Sequence, residues 1–360
     1  MTATHTPEGR RRWARGIGAG LAAILVATGI TGMVTGAASA DPTLPPMSAS
    51  ELLNRVATAD VDGMSATFSQ RSDLGLPTLP SDLGEDGEDL QTVLTLLTGD
   101  HTFRVWQAGA TRSRLSLVDG DAESSLIRNQ NTVWTWSSAS QRAGHATLDT
   151  DAPPSRPASM PSTPAEAVDR LLTALEPNTE VTTSGTGYVA GRGVYQLILT
   201  PRDSASLVRE VRVSVDAVEF VPLGLRVVDS SGADAITLAA TSVDFAVPDS
   251  GVFEFTPPPG ATVTEMDADH TGRPSATPSP TPGGLTTYGT GWTTVAVKQV
   301  DTSQIQPEMR TALESLPAVS GTWGTGRLLS TSLVNAILTD DGRLAIGSVN
   351  QDRLYAALAK

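Results

Sequence analysis

Cysteine is absent from the 360-residue sequence. Its absence excludes a disulfide scaffold, a thiolate metal site and lipid attachment to an N-terminal cysteine. Stability must therefore come from packing. Histidine is scarce as well, with four in the whole chain, so general acid–base chemistry has few candidates.

Lysine is almost absent, since only Lys298 and Lys360 accompany the arginines. Such a bias towards arginine, together with abundant alanine, is typical of a GC-rich bacterial genome. Acidic residues outnumber basic ones by 39 to 25, which gives a formal net charge of −14. Without its first 40 residues the chain keeps 38 acidic and 21 basic residues. A chain of this charge repels nucleic acid and anionic lipid headgroups on average.

The N-terminal 40 residues have the order of an export signal. A basic patch at Arg10, Arg11, Arg12 and Arg15 precedes an apolar run over residues 17–34, and Ala38-Ser39-Ala40 follows. This order predicts cleavage after Ala40 and an extracytoplasmic location in the cell envelope. The alternative is an uncleaved membrane anchor over 17–34, because the run approaches the length of a spanning helix.

Two amphipathic helices are predicted in the next 230 residues. One begins after Ser48, which has capping-box spacing to Glu51, and the other covers 164–175, with Thr163 as N-cap and Pro164 at its first position. Each has an apolar stripe that we expect to pack on a sheet. The stripes are formed by Leu52, Leu53, Val56, Val168, Leu171, Leu172 and Leu175.

Antiparallel strands are predicted over most of residues 65–245. In one of them Val211, Val213 and Val215 alternate with polar residues, the pattern of a strand with one face in water. About ten or eleven such strands with so little helix must curl, close into a barrel or split into two sheets. A long loop over 74–99, with an acidic run and an apolar turn of helix, is predicted to be a surface excursion. Residues 257–259, all proline, are predicted to mark the end of the sheet.

A change of composition divides the chain. Residues 269–284 are rich in proline, threonine, serine and glycine, which predicts a linker between a first domain over 41–268 and a second over 285–360. The second is predicted to be a small α+β domain. It holds a strand at 293–297, a helix after Pro307, a glycine-rich turn at 320–326, a hairpin about 341–342 and a closing helix from Asp352.

Motifs that carry chemistry are missing from this sequence. There is no nucleophile elbow, zinc-binding His-Glu-x-x-His helix or phosphate loop, and the acidic run at 85–89 lacks the ligand spacing of a calcium loop. An enzyme would depend on His101, His145 or His270. Trp134 and Trp136 suggest either a stacking platform or, more commonly, buried packing on a strand. We therefore predict a protein with no catalytic residues, no metal and no cofactor.

Four stretches together resemble one family. Residues 129–136 read NQNTVWTW, 194–202 read VYQLILTPR, 211–216 with 222–227 form paired strands, and 253–263 read FEFTPPPGATV. In order and spacing they are similar to the LolA family of periplasmic lipoprotein carriers and its relatives of LppX and RseB type. The resemblance extends over about 200 residues, and the last stretch is its most specific part.

This resemblance implies an unclosed antiparallel β-barrel of about 11 strands, wrapped on amphipathic helices that lid an apolar cavity. It implies an exported, non-enzymatic carrier or chaperone that holds lipid or lipoprotein acyl chains. The alternative is an RseB-like envelope sensor that binds a membrane protein, such as an anti-sigma factor, through residues 285–360. An open cavity and a filled core produce the same alternation of apolar and polar residues, so both interpretations of the apolar face stay open. The candidate wall residues are Phe68, Phe103, Val105, Leu115, Leu117, Trp134, Trp136, Leu197, Leu199, Val213, Leu225, Phe253 and Phe255.

Overall fold

The computed structural model describes residues 44–76, 98–148, 164–185, 187–266, 285–305 and 307–360. The predicted export signal or anchor, the acidic run, the proline-rich stretch at 149–163 and the linker lie outside the described residues. His270 lies outside them as well.

A sheet of 13 strands forms the larger part of the molecule. Along the sheet the strands follow the order β13-β6-β5-β4-β3-β2-β1-β12-β11-β10-β9-β7, and β8 pairs with β9. Because β13 and β7 are the two ends of this order, the sheet is not closed, which confirms the predicted unclosed barrel. The strands are β1 (Gly63–Ser72), β2 (Thr102–Ala108), β3 (Arg112–Asp119), β4 (Ala122–Asn129), β5 (Thr132–Ser137), β6 (Arg142–Thr147), β7 (Thr179–Ser184), β8 (Tyr188–Val189), β9 (Arg192–Pro201), β10 (Val208–Asp216), β11 (Pro222–Asp229), β12 (Asp234–Asp244) and β13 (Thr262–Glu265).

The two predicted helices are present as α1 (Ala49–Thr58) and α2 (Pro164–Leu175). The Ser48 hydroxyl accepts a hydrogen bond from the Glu51 amide and so caps α1. The apolar stripe of α1 packs on the sheet, and α2 packs on α1. Within the stripe of α2, Val168 is buried and Leu171 is 47% exposed.

Two strands of the sheet were not predicted. β6 has the sequence RAGHAT, whose small side chains show no apolar alternation although Ala143 and Ala146 are buried. β13 follows the three prolines at 257–259 and pairs with β6 in parallel, so the sheet does not end at those prolines. It continues because the chain crosses one sheet face and returns to the β6 edge.

Residues 286–347 form a second sheet of six strands, in the order β14-β15-β19-β18-β17-β16. One face is covered by α4 (Gln351–Leu358), whose Leu354 and Leu358 are buried with Val295 and Ile337. The helix after Pro307 is α3 (Pro307–Ser315), and the predicted turn at 320–326 is a hairpin whose Trp323 is buried. The strands are β14 (Thr286–Tyr288), β15 (Val295–Gln299), β16 (Ala318–Gly321), β17 (Gly324–Ser330), β18 (Asn335–Thr339) and β19 (Arg343–Gly347).

The second sheet docks on the end of the large sheet where β9 is followed by β10, which we call the Leu207 end. The Leu207 amide donates to the Ser348 carbonyl at 2.9 Å, and the Trp292 indole N–H donates to Thr179 Oγ1 at 2.8 Å. Leu333 is buried there with Val208. Backbone bonds and apolar packing therefore both hold this contact.

At the opposite end of the large sheet, which we call the Arg192 end, a buried ion pair joins the turns. The Arg192 guanidinium donates to both carboxylate oxygens of Asp216, at 2.5 and 3.0 Å. The same carboxylate accepts the amides of Val218 and Glu219 at 3.0 and 2.8 Å. Arg192 also lies over the ring of Phe245, 4.8 Å from its centroid.

Candidate functional site

Strand pairing assigns most of the predicted wall residues to one face of the large sheet. Paired residues of neighbouring strands share a face, and Leu197 pairs with Val213, which pairs with Leu225. We call this face the inner face, because α1 packs on it through Leu52 and Leu53. The predicted wall residues on it are Phe68, Phe103, Val105, Leu115, Leu117, Leu197, Leu199, Val213 and Leu225.

The other predicted wall residues, all aromatic, lie on the opposite, outer face. Trp134 and Trp136 are on outer positions of β5, and the Phe255 ring packs on both, with centroids 5.5 and 5.8 Å apart. Phe253 is buried on the same side, with the Arg112 guanidinium 5.7 Å from its ring centroid. These four residues therefore face away from the rest of the predicted wall. The alternation within β5 identifies two faces but not which one is inner.

A polar cluster supports the outer-face packing. Arg114 donates to Glu123 at 3.0 Å and to the Val252 carbonyl at 3.3 Å, and the Ser125 hydroxyl donates to Glu123 at 2.6 Å. The hydrogen bond from Ser125 is the main cause of the lowered pKa of Glu123, and Arg114 lowers it further. Glu123 is thus held as a carboxylate that positions Arg114 under the segment around Val252.

Cover of the inner face is uneven. One row of paired residues crosses it from Ala66 through Val105 and Leu115 to Leu126. Ala66 is buried, Val105 and Leu115 are half-buried, and Leu126 on β4 is 47% exposed. The side covered by α1 is filled, whereas the side formed by β3 and β4 leaves apolar surface open. We call Val105, Leu115, Leu117 and Leu126 the open patch.

Leu126 was missed by the sequence reasoning. It is followed by Ile127, which is buried on the outer face, so two adjacent apolar residues point to opposite sides of β4. A strand that is apolar on both faces shows no alternation. The only sequence signal was that β4 carries apolar residues at adjacent positions.

The β6 edge of the inner face is occupied by Met266. Its sulfur lies 3.6 Å from Thr135 Oγ1, and a Cβ on Gly144 would come within 2.4 Å of that sulfur. A side chain at 144 would therefore have to shift the end of the Met266 side chain and the Thr135 hydroxyl, and the absence of a side chain leaves room for both.

Two cavities that lie away from the inner face are lined by described residues. One of about 650 Å³ lies between α3 and strands β17 and β18, and includes Arg310, Leu313 and Leu338. The other, of about 230 Å³, is an apolar notch between the end of α2 and Trp292. Leu175, from the predicted lid stripe, lines this second cavity.

Two of the histidines considered for catalysis lie far apart in the sheet. His101 precedes β2 and is buried, with its Nε2 2.9 Å from the Thr98 carbonyl oxygen. His145 lies on β6, four strands further along, where its Nδ1 is 3.0 Å from Glu265. Within the described ranges, no group of three or more histidine and acidic residues is placed to hold a metal ion. The two histidines belong to no common site.

The fold defines the chain's class: a mainly antiparallel half-barrel with one helix on its inner face, followed by a small α+β sheet. Among the described residues no helix is long and apolar enough to cross a membrane. No family profile and no curated protein matches the chain.

Solved structures similar to the chain include the complex of MucA and MucB from Pseudomonas aeruginosa. That similarity has 14% identity over 86% of this chain and 96% of the other, with a TM-score of 0.43. An uncharacterised conserved protein from Thermus thermophilus is 11% identical over 61% of this chain and 99% of its own, with a TM-score of 0.36. A LolA superfamily protein from Nitrosomonas europaea is 11% identical over 58% and 99%, with a TM-score of 0.23.

Proposed function

We propose that the protein is an exported, non-enzymatic binding protein that holds an acyl chain of a lipid or lipoprotein on the open patch of its inner face. The single observation that carries this proposal is the exposure of Leu126 at the end of an apolar row that begins in the core at Ala66. Exposed apolar surface on a curved sheet is a place for an apolar ligand. Burial of acyl methylenes contributes about 0.8 kcal/mol each, so a dozen give on the order of 10 kcal/mol before ordering costs.

Arg128 gives the patch a polar end. It lies two residues beyond Leu126 on β4, on the same face, and donates its Nε–H to the Gln130 carbonyl at 3.0 Å. The terminal amino groups of a guanidinium suit a carboxylate or phosphate group. An amphiphile would then lie with its chain on Leu126 and Leu115 and its anionic headgroup at Arg128.

Leu126→Asp is expected to abolish uptake of a fluorescent fatty acid while leaving the unfolding free energy within about 0.5 kcal/mol of wild type, because the side chain is half exposed. Binding is measured by fluorescence titration and stability by urea unfolding. Ile346→Asp is the matched control: Ile346 is 41% exposed on β19 of the second sheet and should leave uptake unchanged. Full uptake by the Leu126→Asp protein would overturn the proposal, as would purified protein that carries no lipid by mass spectrometry.

Arg128→Gln is expected to weaken binding of a fatty acid at neutral pH by about tenfold to a hundredfold, since a charge-assisted hydrogen bond to an anion contributes about 1.5–3 kcal/mol. Affinity for the fatty alcohol of the same length should not change. Competition titrations with both ligands on both proteins make the comparison. An equal loss for acid and alcohol would show that Arg128 supports the fold of the patch rather than the headgroup.

An envelope sensor that acts on a protein partner through residues 285–360 is the second candidate. The direct contact between the sheets favours it, because Leu207 and Ser348 connect the half-barrel to the second sheet through backbone hydrogen bonds. Ligand on the first sheet could thereby influence a partner on the second. Cross-linking in cells distinguishes the candidates: recovery of lipid without any protein partner would count against a sensor.

A further inference from the structure

Three large apolar side chains are exposed in separate segments at the Arg192 end. Tyr188 on β8 is 49% exposed, Val218 in the β10–β11 turn is 70% exposed, and Val247 after β12 is 55% exposed. Loop tips usually carry small or polar residues. Three large apolar residues exposed at or beside the loops of one end therefore need an explanation other than packing within the chain.

Contacts around Arg192 place these segments side by side. Tyr188 pairs with Gly193 in the β8–β9 hairpin, and the Gly193 carbonyl accepts the Ala217 amide at 3.0 Å, directly before Val218. Arg192 itself lies over Phe245, two residues before Val247. The Arg192–Asp216 pair thus holds all three segments in a fixed arrangement. We call Tyr188, Val218 and Val247 the rim.

The chain also enters the half-barrel at this end. Leu44, the first described residue, donates its amide to the Gly185 carbonyl at 3.4 Å, at the end of β7. Nine residues, 35–43, separate Leu44 from the predicted apolar run over 17–34. Even fully extended they span only about 30 Å. A membrane that holds the apolar run therefore lies close to the rim, while the second sheet docks at the opposite end.

We propose that the rim is a membrane-contacting surface, in which Tyr188, Val218 and Val247 enter the interfacial layer of a lipid bilayer. Charge argues for an apolar rather than an electrostatic contact. Asp62 precedes Gly63, which lies against the backbone of Val247, and Glu219 follows Val218; carboxylates gain nothing from anionic headgroups. Three side chains bind a bilayer only weakly by themselves, so their effect is to orient a chain that an uncleaved N-terminal segment holds nearby. The proposal therefore rests on the anchor over 17–34 rather than on cleavage after Ala40. This inference does not depend on a ligand in the open patch.

Because the chain lacks cysteine, a single probe can be placed at will. The full chain is prepared as Tyr188→Cys, Val218→Cys or Val247→Cys, labelled with an environment-sensitive fluorophore, and reconstituted with phosphatidylcholine vesicles that contain brominated acyl chains. Ser140→Cys, in the exposed β5–β6 turn at the opposite end, is the matched control. We expect a blue shift and quenching by bromine at each rim position and neither at residue 140. When the probe is at residue 188, the two further substitutions Val218→Asp and Val247→Asp in the same chain should together remove the quenching.

Four results would overturn the proposal. The rim probes could stay unquenched while the protein remains with the vesicles, or the probe at residue 140 could be quenched equally. A blue shift that grows with protein concentration in the absence of vesicles would identify the rim as a contact between copies of the chain. Stronger quenching on addition of phosphatidylglycerol would identify an electrostatic surface. Each of these results leaves fatty acid uptake by the open patch as a separate measurement.

Discussion

Asp216→Ala is expected to lower the free energy of unfolding by about 3–5 kcal/mol, the loss typical of removing one partner of a buried ion pair. The Asp216 side chain is only 1% exposed, whereas that of Arg192 is 32% exposed. Alanine would leave the guanidinium without its carboxylate. It would also leave the amides of Val218 and Glu219 without their acceptor, and each unsatisfied amide adds to the cost.

The same carboxylate predicts a dependence on pH. Burial alone would raise the pKa of Asp216, but the hydrogen bonds from Arg192 and from the Glu219 and Val218 amides outweigh it and lower the pKa. A carboxylate whose pKa is lower in the folded state contributes its stability fully above its unfolded pKa, near 3.9, and loses it as the pH falls through the folded value. The difference in stability between wild type and Asp216→Asn should therefore shrink as the pH falls below about 4.

Urea unfolding followed by tryptophan fluorescence at pH 7 and pH 3 makes both comparisons. Glu51→Ala is the control, because Glu51 and Arg55 form an i,i+4 pair on α1 in which both side chains are 50% exposed. Such a pair contributes about 0.3–0.5 kcal/mol. Equal losses for Asp216→Ala and Glu51→Ala would show that the Arg192 end is not held by this ion pair.

The alternation of apolar and polar residues predicted most strands, and helix-capping residues predicted the helix starts, because both patterns depend only on neighbouring residues. The strands that became β1 to β5 and β9 to β12 have either one apolar face or clear turn residues between them. Ser48 and Pro164 marked the helix starts within a residue or two. The hairpin about 341–342 of the second sheet was predicted for the same reason, because Gly342 has a φ of 85°, a conformation that glycine adopts without strain.

The sequence did not predict which face of each strand is the inner one. Alternation shows that a strand has two different faces but not which of them lies against α1. Leu126 and Ile127 are adjacent and apolar, yet one is exposed on the inner face and the other buried on the outer face. Trp134 and Trp136 alternate as a wall residue should, but their partner is Phe255, which is distant from both in the chain. Which face is inner depends on where α1 and the segment after β12 pack, and that is decided by tertiary contacts.

The segment after β12 also shows how a specific motif can be matched while its role is misassigned. Phe253 and Phe255 were expected to line the cavity as part of the closing strands. Instead Ser250–Phe253 forms a short 3₁₀ turn, and this turn packs against β3 and β4 on the outer face. Pro257 and the prolines after it then carry the chain to the edge at β6. The motif acts as an outer strap, and the strap leads into the only parallel strand pair described in the large sheet.

Phe253→Ala is accordingly expected to cost about 3–5 kcal/mol of unfolding free energy, as truncation of a fully buried phenylalanine does. Phe253 is 1% exposed, and its ring also contacts the Arg112 guanidinium, so the cavity left behind would be lined by a charge. Phe255→Ala is the matched control. Its ring is half-buried against Trp134 and Trp136, and we expect a clearly smaller loss. Urea unfolding of wild type and both variants gives the comparison.

Measurement of ligand affinity shows whether Phe253 belongs to the outer-face segment or to the wall of the ligand site. If Phe253 lies on the outer face, the Phe253→Ala protein should bind a fluorescent fatty acid with unchanged affinity under conditions where it is folded. Leu126→Asp should do the opposite, keeping its stability and losing the ligand. A Phe253→Ala protein that is folded but has lost its affinity would place Phe253 in the binding site after all. The two variants thus assign the two faces of one sheet to different tasks, because burial of Phe253 stabilises the fold and exposure of Leu126 leaves surface for a ligand.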